Sequence, residues 1–162
     1  MVTSEDWSVE PGPLRSLRMR EERRRLLLEE RPELSILWDI LLQAGGAEVV
    51  GQMENEAELD RLITRGFFQD GGGAKLMLGL PNRCHINAAC AWRPEHKKYV
   101  LVTGYALSED GLWRQHSWLR DRKGRVVETT DPRLLYYGYE MALYEALAFS
   151  IAQIMPGGGG MA

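Results

Sequence analysis

The feature that most constrains the fold is a series of strand-like segments in the C-terminal half of the chain. Tyr99–Leu107 is rich in β-branched and aromatic residues, and Trp113–Arg120 and Arg125–Thr130 follow it as two further predicted strands. Shorter strands are predicted at Lys75–Leu80 and Leu134–Tyr139. This half of the chain is therefore predicted to form a mostly antiparallel sheet.

One turn predicts how two of these strands pair. Asp121-Arg122-Lys123-Gly124 has Asp at its first position and Gly at its fourth, which is typical of a type I turn followed by a bulge. The resulting register pairs Asp121 with Arg125, Trp118 with Glu128, and His116 with Thr130. His116 and Glu128 then share one sheet face as diagonal neighbours, about 7–8 Å apart at the backbone. Asp131 would point to the other face, and a two-residue loop would reverse this assignment.

Helical patterns cover the N-terminal part of the chain and flank the strands. They are predicted at Leu14–Glu30, from Pro32 to Gly45, at Glu54–Arg65, from Cys84 to about Trp92, and at Glu140–Met155. We therefore predict an α+β fold in which the helix that carries Cys84 packs on the antiparallel sheet. The glycine run Gly71-Gly72-Gly73 predicts a flexible break in the chain, which we call the seam. It would separate a helical N-terminal extension (1–70) from the core (74–155), and residues 156–162 would form a flexible Gly-rich tail.

Composition narrows the classes of partner and location. A net charge of −3 over 162 residues gives no reason to expect nucleic acid or an acidic membrane surface as a partner. No signal peptide is visible, and no apolar run approaches the ~20 residues that a membrane span needs. We expect reduced cysteines and a cytoplasmic protein. The glycine run lacks the spacing of a nucleotide-binding loop, so no cofactor is predicted, and no feature specifies the oligomeric state.

Cys84 is the candidate nucleophile. A cysteine reacts as its thiolate, and Asn82, a favoured N-cap residue, would place Cys84 in the first turn of its helix. Free backbone N–H groups and the positive end of the helix dipole stabilise an anion there. The same N–H groups could hold the oxyanion of an attacked carbonyl.

Of the three histidines, His116 is the best partner for a thiolate. His85 follows Cys84 in a helix, where adjacent positions point about 100° apart, so we expect it to face away from the sulfur. His96 lies in a polar loop and is expected to be exposed. His116 lies in a strand, and Glu128 on the same face is the expected orienting group, with Asp131 as the alternative.

Each of these residues also has a structural interpretation. A lone cysteine is more often a small buried hydrophobic residue than a nucleophile, and Cys90 is expected in the core. The spacing of cysteines and histidines within residues 84–96 matches none of the usual zinc patterns, so no metal site is predicted. The aromatic residues Trp113, Trp118, Tyr136, Tyr137 and Tyr139 are assigned mostly to the core. Part of that cluster would wall a cleft beside His116.

The C-terminal half also resembles a known family. The shared motifs are Cys84-His85-Ile86-Asn87-Ala88, Gly104-Tyr105-Ala106-Leu107, Trp113–Trp118, Gly124–Thr130 and Tyr137-Gly138. Together they resemble a widespread group of small, mostly uncharacterised bacterial and phage proteins that are similar to papain-like cysteine enzymes. The family pattern is roughly C-[HYF]-x-N-A, G-[YW]-A, H-[AS]-W, V-[ILV]-[DE]-x-T and Y-[FY]-G. The resemblance covers roughly residues 80–140.

The resemblance implies a papain-like fold with Cys84 as nucleophile, His116 as base and Glu128 in the acidic position, where Asp is commoner. Asn87 matches the pattern and either lines the site or caps a loop, and Trp118 lines the site. No glutamine precedes Cys84 at the oxyanion position of papain, and Asn82 is the candidate substitute.

Two functions follow from these expectations. The first is a papain-like cysteine hydrolase or acyl-transferase, that is, a peptidase, an amidase or deamidase, or a transglutaminase-like enzyme, with a peptide or protein substrate. The second is a catalytically inert module of the same fold. It would bind a protein as an adaptor, immunity protein or inhibitor through its Arg/Glu-rich N-terminal helix. The presence of all three site residues favours the enzyme.

Overall fold

The computed structural model describes residues 12–50 and 56–155, which contain five helices and seven strands in an α+β arrangement. In chain order these are α1 (Gly12–Glu30), α2 (Leu34–Ala44), β1 (Glu48–Val50), α3 (Glu56–Arg65), β2 (Phe67–Asp70), β3 (Lys75–Leu76), α4 (Cys84–Trp92), β4 (Tyr99–Leu107), β5 (Leu112–Asp121), β6 (Val126–Glu128), β7 (Leu135–Glu140) and α5 (Leu143–Ile154). The predicted α+β class and N-terminal helices are confirmed. The predicted helix start at Glu54 and the Gly-rich tail lie outside the described residues.

The chain divides into two compact units, residues 1–36 and residues 37–162. This division differs from the predicted seam at Gly71–Gly73, because residues 37–70 belong to the larger unit. Two of the segments before the seam, β1 and β2, are strands of the same sheet as the later strands. The sequence does not predict them, because three or four residues are too few to show an alternating pattern.

The sheet has seven strands in the order β2-β7-β4-β5-β6-β3, with β1 paired to β5. The central strand β4 pairs antiparallel with β5 on one side and with β7 on the other. Two pairs are parallel, β1 with β5 and β3 with β6, so the sheet is mixed rather than antiparallel throughout. Most residues of β4 and β7 are buried, as expected of inner strands.

The hairpin between β5 and β6 has the predicted register. Leu119 pairs with Val127 and Arg120 with Val126, which extends to Asp121 opposite Arg125. Gly124 has a φ of 78°, the left-handed conformation that the bulge requires. The Asp121 carboxylate accepts hydrogen bonds from two backbone N–H groups of the loop and so fixes its shape.

Helix α4 packs on β5, β4 and α5 through Ala88, Ala89 and Trp92. Cys90 is exposed, so the prediction that it lies in the core is wrong. The buried residues of α4 lie on one face of the helix, and the helical period places Cys90 outside that face.

Helix α5 has the predicted place in the sequence, but its apolar stripe faces outward. Leu143, Leu147 and Ile151 are exposed. The buried face instead carries Glu145, Ala146 and Ser150. Glu145 is buried because two arginines of α3, Arg61 and Arg65, form ion pairs with it at 2.8 and 2.9 Å.

Within residues 12–50 and 56–155, no helix is both long enough and apolar enough to cross a membrane.

Candidate active site

Helix α4 begins at Cys84, which is partly exposed. The N-cap is Arg83, whose side chain makes no capping hydrogen bond, so the prediction that Asn82 is the N-cap is wrong. Asn82 instead has a φ of 57°, a left-handed conformation that asparagine tolerates better than most residues, and its side chain is exposed. The N–H of Cys84 is one of the first-turn groups that have no acceptor within the helix.

Asn87 holds the segment that leads into this helix. Its side-chain N–H group donates to the Leu80 carbonyl at 2.7 Å, and its side-chain oxygen accepts from the Leu80 N–H at 3.1 Å. A longer hydrogen bond of 3.5 Å reaches the Thr129 carbonyl. Gly79 leaves room for this contact, since a Cβ there would lie 2.5 Å from Cγ of Asn87. Of its two predicted roles, Asn87 therefore has the loop-holding one.

His116 and Glu128 meet directly. Nε2 of His116 lies 2.8 Å from Oε2 of Glu128, and both side chains are buried. The diagonal contact predicted from the hairpin register is thereby confirmed. Asp131, the alternative, is exposed.

Glu128 is fully buried, and both of its oxygens are bound. Oε1 accepts hydrogen bonds from the N–H of Thr129 and from the N–H and hydroxyl of Thr130, at 2.9, 2.9 and 3.0 Å. Oε2 accepts a second bond from the Tyr136 hydroxyl at 2.7 Å. Burial raises the pKa of Glu128, but the hydrogen bond and positive charge of His116 outweigh it, and the pKa is about 2. The carboxylate stays ionised.

The Cys84 thiol and the His116 imidazole each shift the pKa of the other. Because Nε2 of His116 is bound to Glu128, Nδ1 is the ring nitrogen left for another partner. Burial raises the pKa of Cys84, while hydrogen bonds with His116 and His85 lower it more strongly, to about 5. Burial lowers the pKa of His116, while its bonds to Cys84 and Glu128 raise it to about 9. Between these values the pair exists as thiolate and imidazolium.

His85 also lowers the pKa of the Cys84 thiol, which differs from the prediction that its side chain faces away from the sulfur. The 100° angle describes the Cα–Cβ directions, and a long side chain in the first turn is not confined by a preceding turn. A ring nitrogen of His85, Nδ1, lies 2.7 Å from the Ser117 hydroxyl. His96, by contrast, is exposed as predicted.

Aromatic rings enclose His116. The Trp118 ring stacks beside it at a centroid distance of 6.0 Å and an angle of 21°, and the Tyr136 ring lies 6.1 Å away. Both are fully buried, as the aromatic cluster predicts. Gly138 makes room for Trp118, since a Cβ there would lie 2.6 Å from its ring. The imidazole therefore has little freedom to turn away from Cys84.

Sequence reasoning missed the parts of this site that depend on strand order. Tyr136 belongs to the aromatic cluster that is predicted to lie mostly in the core and in part beside His116, but its hydrogen bond to Glu128 is not predicted. The sequence pattern does not identify Ser117 or Thr130 as site residues. The only available signal for Thr130 was its position two residues after Glu128, where a short side chain can bond back.

The site therefore contains a thiol with a lowered pKa, an imidazole with a raised pKa and a buried carboxylate bound to that imidazole. Among the described residues, no group of three or more His, Cys, Asp or Glu side chains could hold a metal ion. Comparisons of this chain with protein-family models, with curated proteins and with solved structures found no match.

Proposed function

We propose that this protein is a papain-like cysteine hydrolase or acyl-transferase that acts on an amide or related acyl group of a peptide or protein. The observation that carries the proposal is the buried hydrogen bond between His116 and Glu128, together with the partly exposed Cys84 thiol, whose pKa His116 helps to lower to about 5. The resemblance of residues 80–140 to a papain-like family supports the same assignment.

The buried carboxylate is the strongest argument against a merely structural cysteine–histidine pair. Burying a charge is costly unless it is paired and hydrogen-bonded, and a well-packed apolar residue would do as well for stability. Glu128 is nevertheless fully buried, and both of its oxygens accept hydrogen bonds. One of its partners is the imidazole of His116, which shifts the pKa of Cys84. In enzymes of this type, such a carboxylate orients the imidazole and stabilises its positive charge.

The proposed reaction has two halves. The Cys84 thiolate attacks the acyl carbon, a C–S bond forms, and the bond to the leaving group breaks as His116 donates its Nδ1 proton to that group. Water or an amine then attacks the thioester, gives its proton to His116, and the C–S bond breaks to restore the thiolate. Glu128 positions the ring and stabilises its charge throughout. Peptidase, deamidase and transglutaminase-like outcomes differ only in the leaving group and the acceptor.

The oxyanion formed in each half would lie at the start of α4. The Cys84 N–H, unpaired within the helix, is the first candidate donor. Asn87 is occupied by Leu80 and Thr129 and is not available. Asn82, with an exposed side chain two residues before Cys84, is the candidate for the second donor.

Alkylation of the full chain with iodoacetamide at pH 6 tests the nucleophile, and Cys90 in the same helix is the internal control. Cys84 is expected to react much faster than the exposed Cys90, because only the former is flanked by imidazoles that keep it ionised. His116→Ala should abolish the difference. Equal labelling of the two cysteines would contradict the proposal.

A second measurement tests the acyl-enzyme. p-Nitrophenyl acetate should give a burst of one p-nitrophenolate per chain, and mass spectrometry should find the acetyl group on Cys84. Addition of a primary amine then distinguishes a transferase, which forms the acetylated amine, from a hydrolase, which forms acetate. A burst that persists in Cys84→Ala would show that the reaction occurs elsewhere.

A further inference from the structure

The segment that leads into the candidate site runs along an open edge of the sheet. Strand β3 lies at the end of the strand order, and among the described residues it pairs with β6 alone. The chain after β3 stays bonded to the same side. The Met77 N–H donates to the Glu128 carbonyl at 2.8 Å, and the Gly79 N–H donates to the Thr129 carbonyl at 2.9 Å.

The backbone groups of Leu76 and Leu78 face the open side of this edge. In a strand, the N–H and carbonyl groups of successive residues alternate between the two sides, so residues between those bonded to β6 point away from it. The side chains are exposed as well, by 49% at Leu76, 71% at Leu78 and 64% at Leu80. An exposed apolar edge is a template on which another extended chain can pair.

Asn87 fixes the end of this edge against the helix that carries Cys84. Its side chain binds both the N–H and the carbonyl of Leu80, at 3.1 and 2.7 Å. Asn87 lies three residues after Cys84 in α4, so the two side chains share one face of the helix about one turn apart. An extended chain paired along the edge would therefore have one of its ends beside Cys84.

We propose that the segment Leu76–Leu80, which we call the docking edge, binds the substrate of Cys84 as an added β-strand. The inference rests on the proposed function, and it specifies the substrate as an extended peptide with apolar side chains near the acyl group that is attacked. The backbone groups of Leu76 and Leu78 pair with the backbone of the peptide, and the leucine side chains select apolar residues at alternate positions. A charged peptide binds less well, because its charges would lose water against leucine.

Peptidyl chloromethyl ketones test this selection, because they must bind as peptides before they alkylate a thiolate with loss of chloride. We expect acetyl-Leu-Leu-Leu-Gly-chloromethyl ketone to label Cys84 about a hundredfold faster than acetyl-Ser-Ser-Ser-Gly-chloromethyl ketone, as measured by mass spectrometry. Leu76→Ser and Leu78→Ser should each reduce that ratio about tenfold. Leu134→Ser is the matched control, since Leu134 is 51% exposed and lies outside the docking edge, and it should keep the wild-type ratio.

A second pair of probes tests the strand pairing itself. The leucine peptide is N-methylated at either its second or its third leucine. Only alternate N–H groups of an added strand point at the protein, so one of the two methylations should slow labelling about tenfold and the other should not.

Two results would overturn the docking edge while iodoacetamide still labels Cys84 faster than Cys90. They are equal labelling by the leucine and serine peptides, and equal effects of the two methylations. A wild-type Cys84 that iodoacetamide labels no faster than Cys90 would instead overturn the proposed function.

Discussion

Tyr136 shows how much of the candidate site depends on single side chains outside the proposed triad of Cys84, His116 and Glu128. Its hydroxyl donates to a carboxylate that is fully buried, at 2.7 Å. The adjacent Tyr137 also donates a buried hydrogen bond of 2.7 Å, but to the neutral Leu62 carbonyl. That carbonyl has a second donor in the Gly66 N–H. The two tyrosines therefore form a natural matched pair.

Removing the two hydroxyls should have unequal costs. Tyr136→Phe takes a donor from a charged acceptor and should lower the free energy of unfolding by about 1.5–3 kcal/mol. Tyr137→Phe removes a bond to a neutral acceptor that keeps another donor, so we expect a loss of about 0.5–1.5 kcal/mol. Urea denaturation at pH 7 measures both. Equal losses would mean that the charge of Glu128 adds nothing to the Tyr136 hydrogen bond.

At the scale of elements, the β5–β6 hairpin and the segment before α4 position the side chains that we propose to be catalytic. The contact between His116 and Glu128 could be predicted because it depends on a local turn, whose Asp121 and Gly124 specify the register. The contact of Tyr136 with Glu128 could not, because it depends on β7 lying beside β4. No sequence pattern near residue 136 encodes that order.

The approach of Cys84 to His116 could be predicted only in part. The sequence indicates the residue types and the helix start, but the distance between the side chains depends on how α4 packs on β5. Cys90 illustrates the same limit, since its exposure follows from which face of α4 packs. The short strands β1 and β2 were missed because their pairing is long-range and their sequences show no alternation.

Asn87 gives a prediction at this scale, because it joins α4 to the preceding segment. Asn87→Ala should leave the Leu80 N–H and carbonyl without partners and lower the free energy of unfolding by about 1–3 kcal/mol. It should also speed hydrogen exchange of the Leu80 amide. Asn87→Asp is the control, because a carboxylate can still accept from that amide while it loses the donor to the carbonyl. Exchange at Leu80 that is fast in both variants would contradict the contact as described.

For the whole molecule, the three ionised groups of the site set how stability depends on pH. The pKa of Glu128 falls from 4.5 to about 2 on folding, so its contribution is present above pH 4.5 and is lost as the pH falls toward 2. The pKa of His116 rises from 6.5 to about 9, so its contribution is present below pH 6.5 and is lost toward pH 9. The pKa of Cys84 falls from 9.0 to about 5, so its contribution is present above pH 9.0 and is lost toward pH 5.

The last two contributions oppose each other between pH 6.5 and pH 9. In that range the folded protein holds one more proton on His116 and one fewer on Cys84 than the unfolded chain. The two groups together therefore do not make the free energy of unfolding depend on pH.

Cys84→Ser removes the contribution of Cys84 and leaves that of His116. Its free energy of unfolding should fall relative to wild type as the pH rises above 6.5, by up to about 1.4 kcal/mol per pH unit. Urea denaturation of both proteins from pH 6 to pH 9 measures the difference, with Cys90→Ser as the control that should follow wild type. Parallel curves for Cys84→Ser and wild type would mean that Glu128 alone does not keep the pKa of His116 raised once the thiolate is absent.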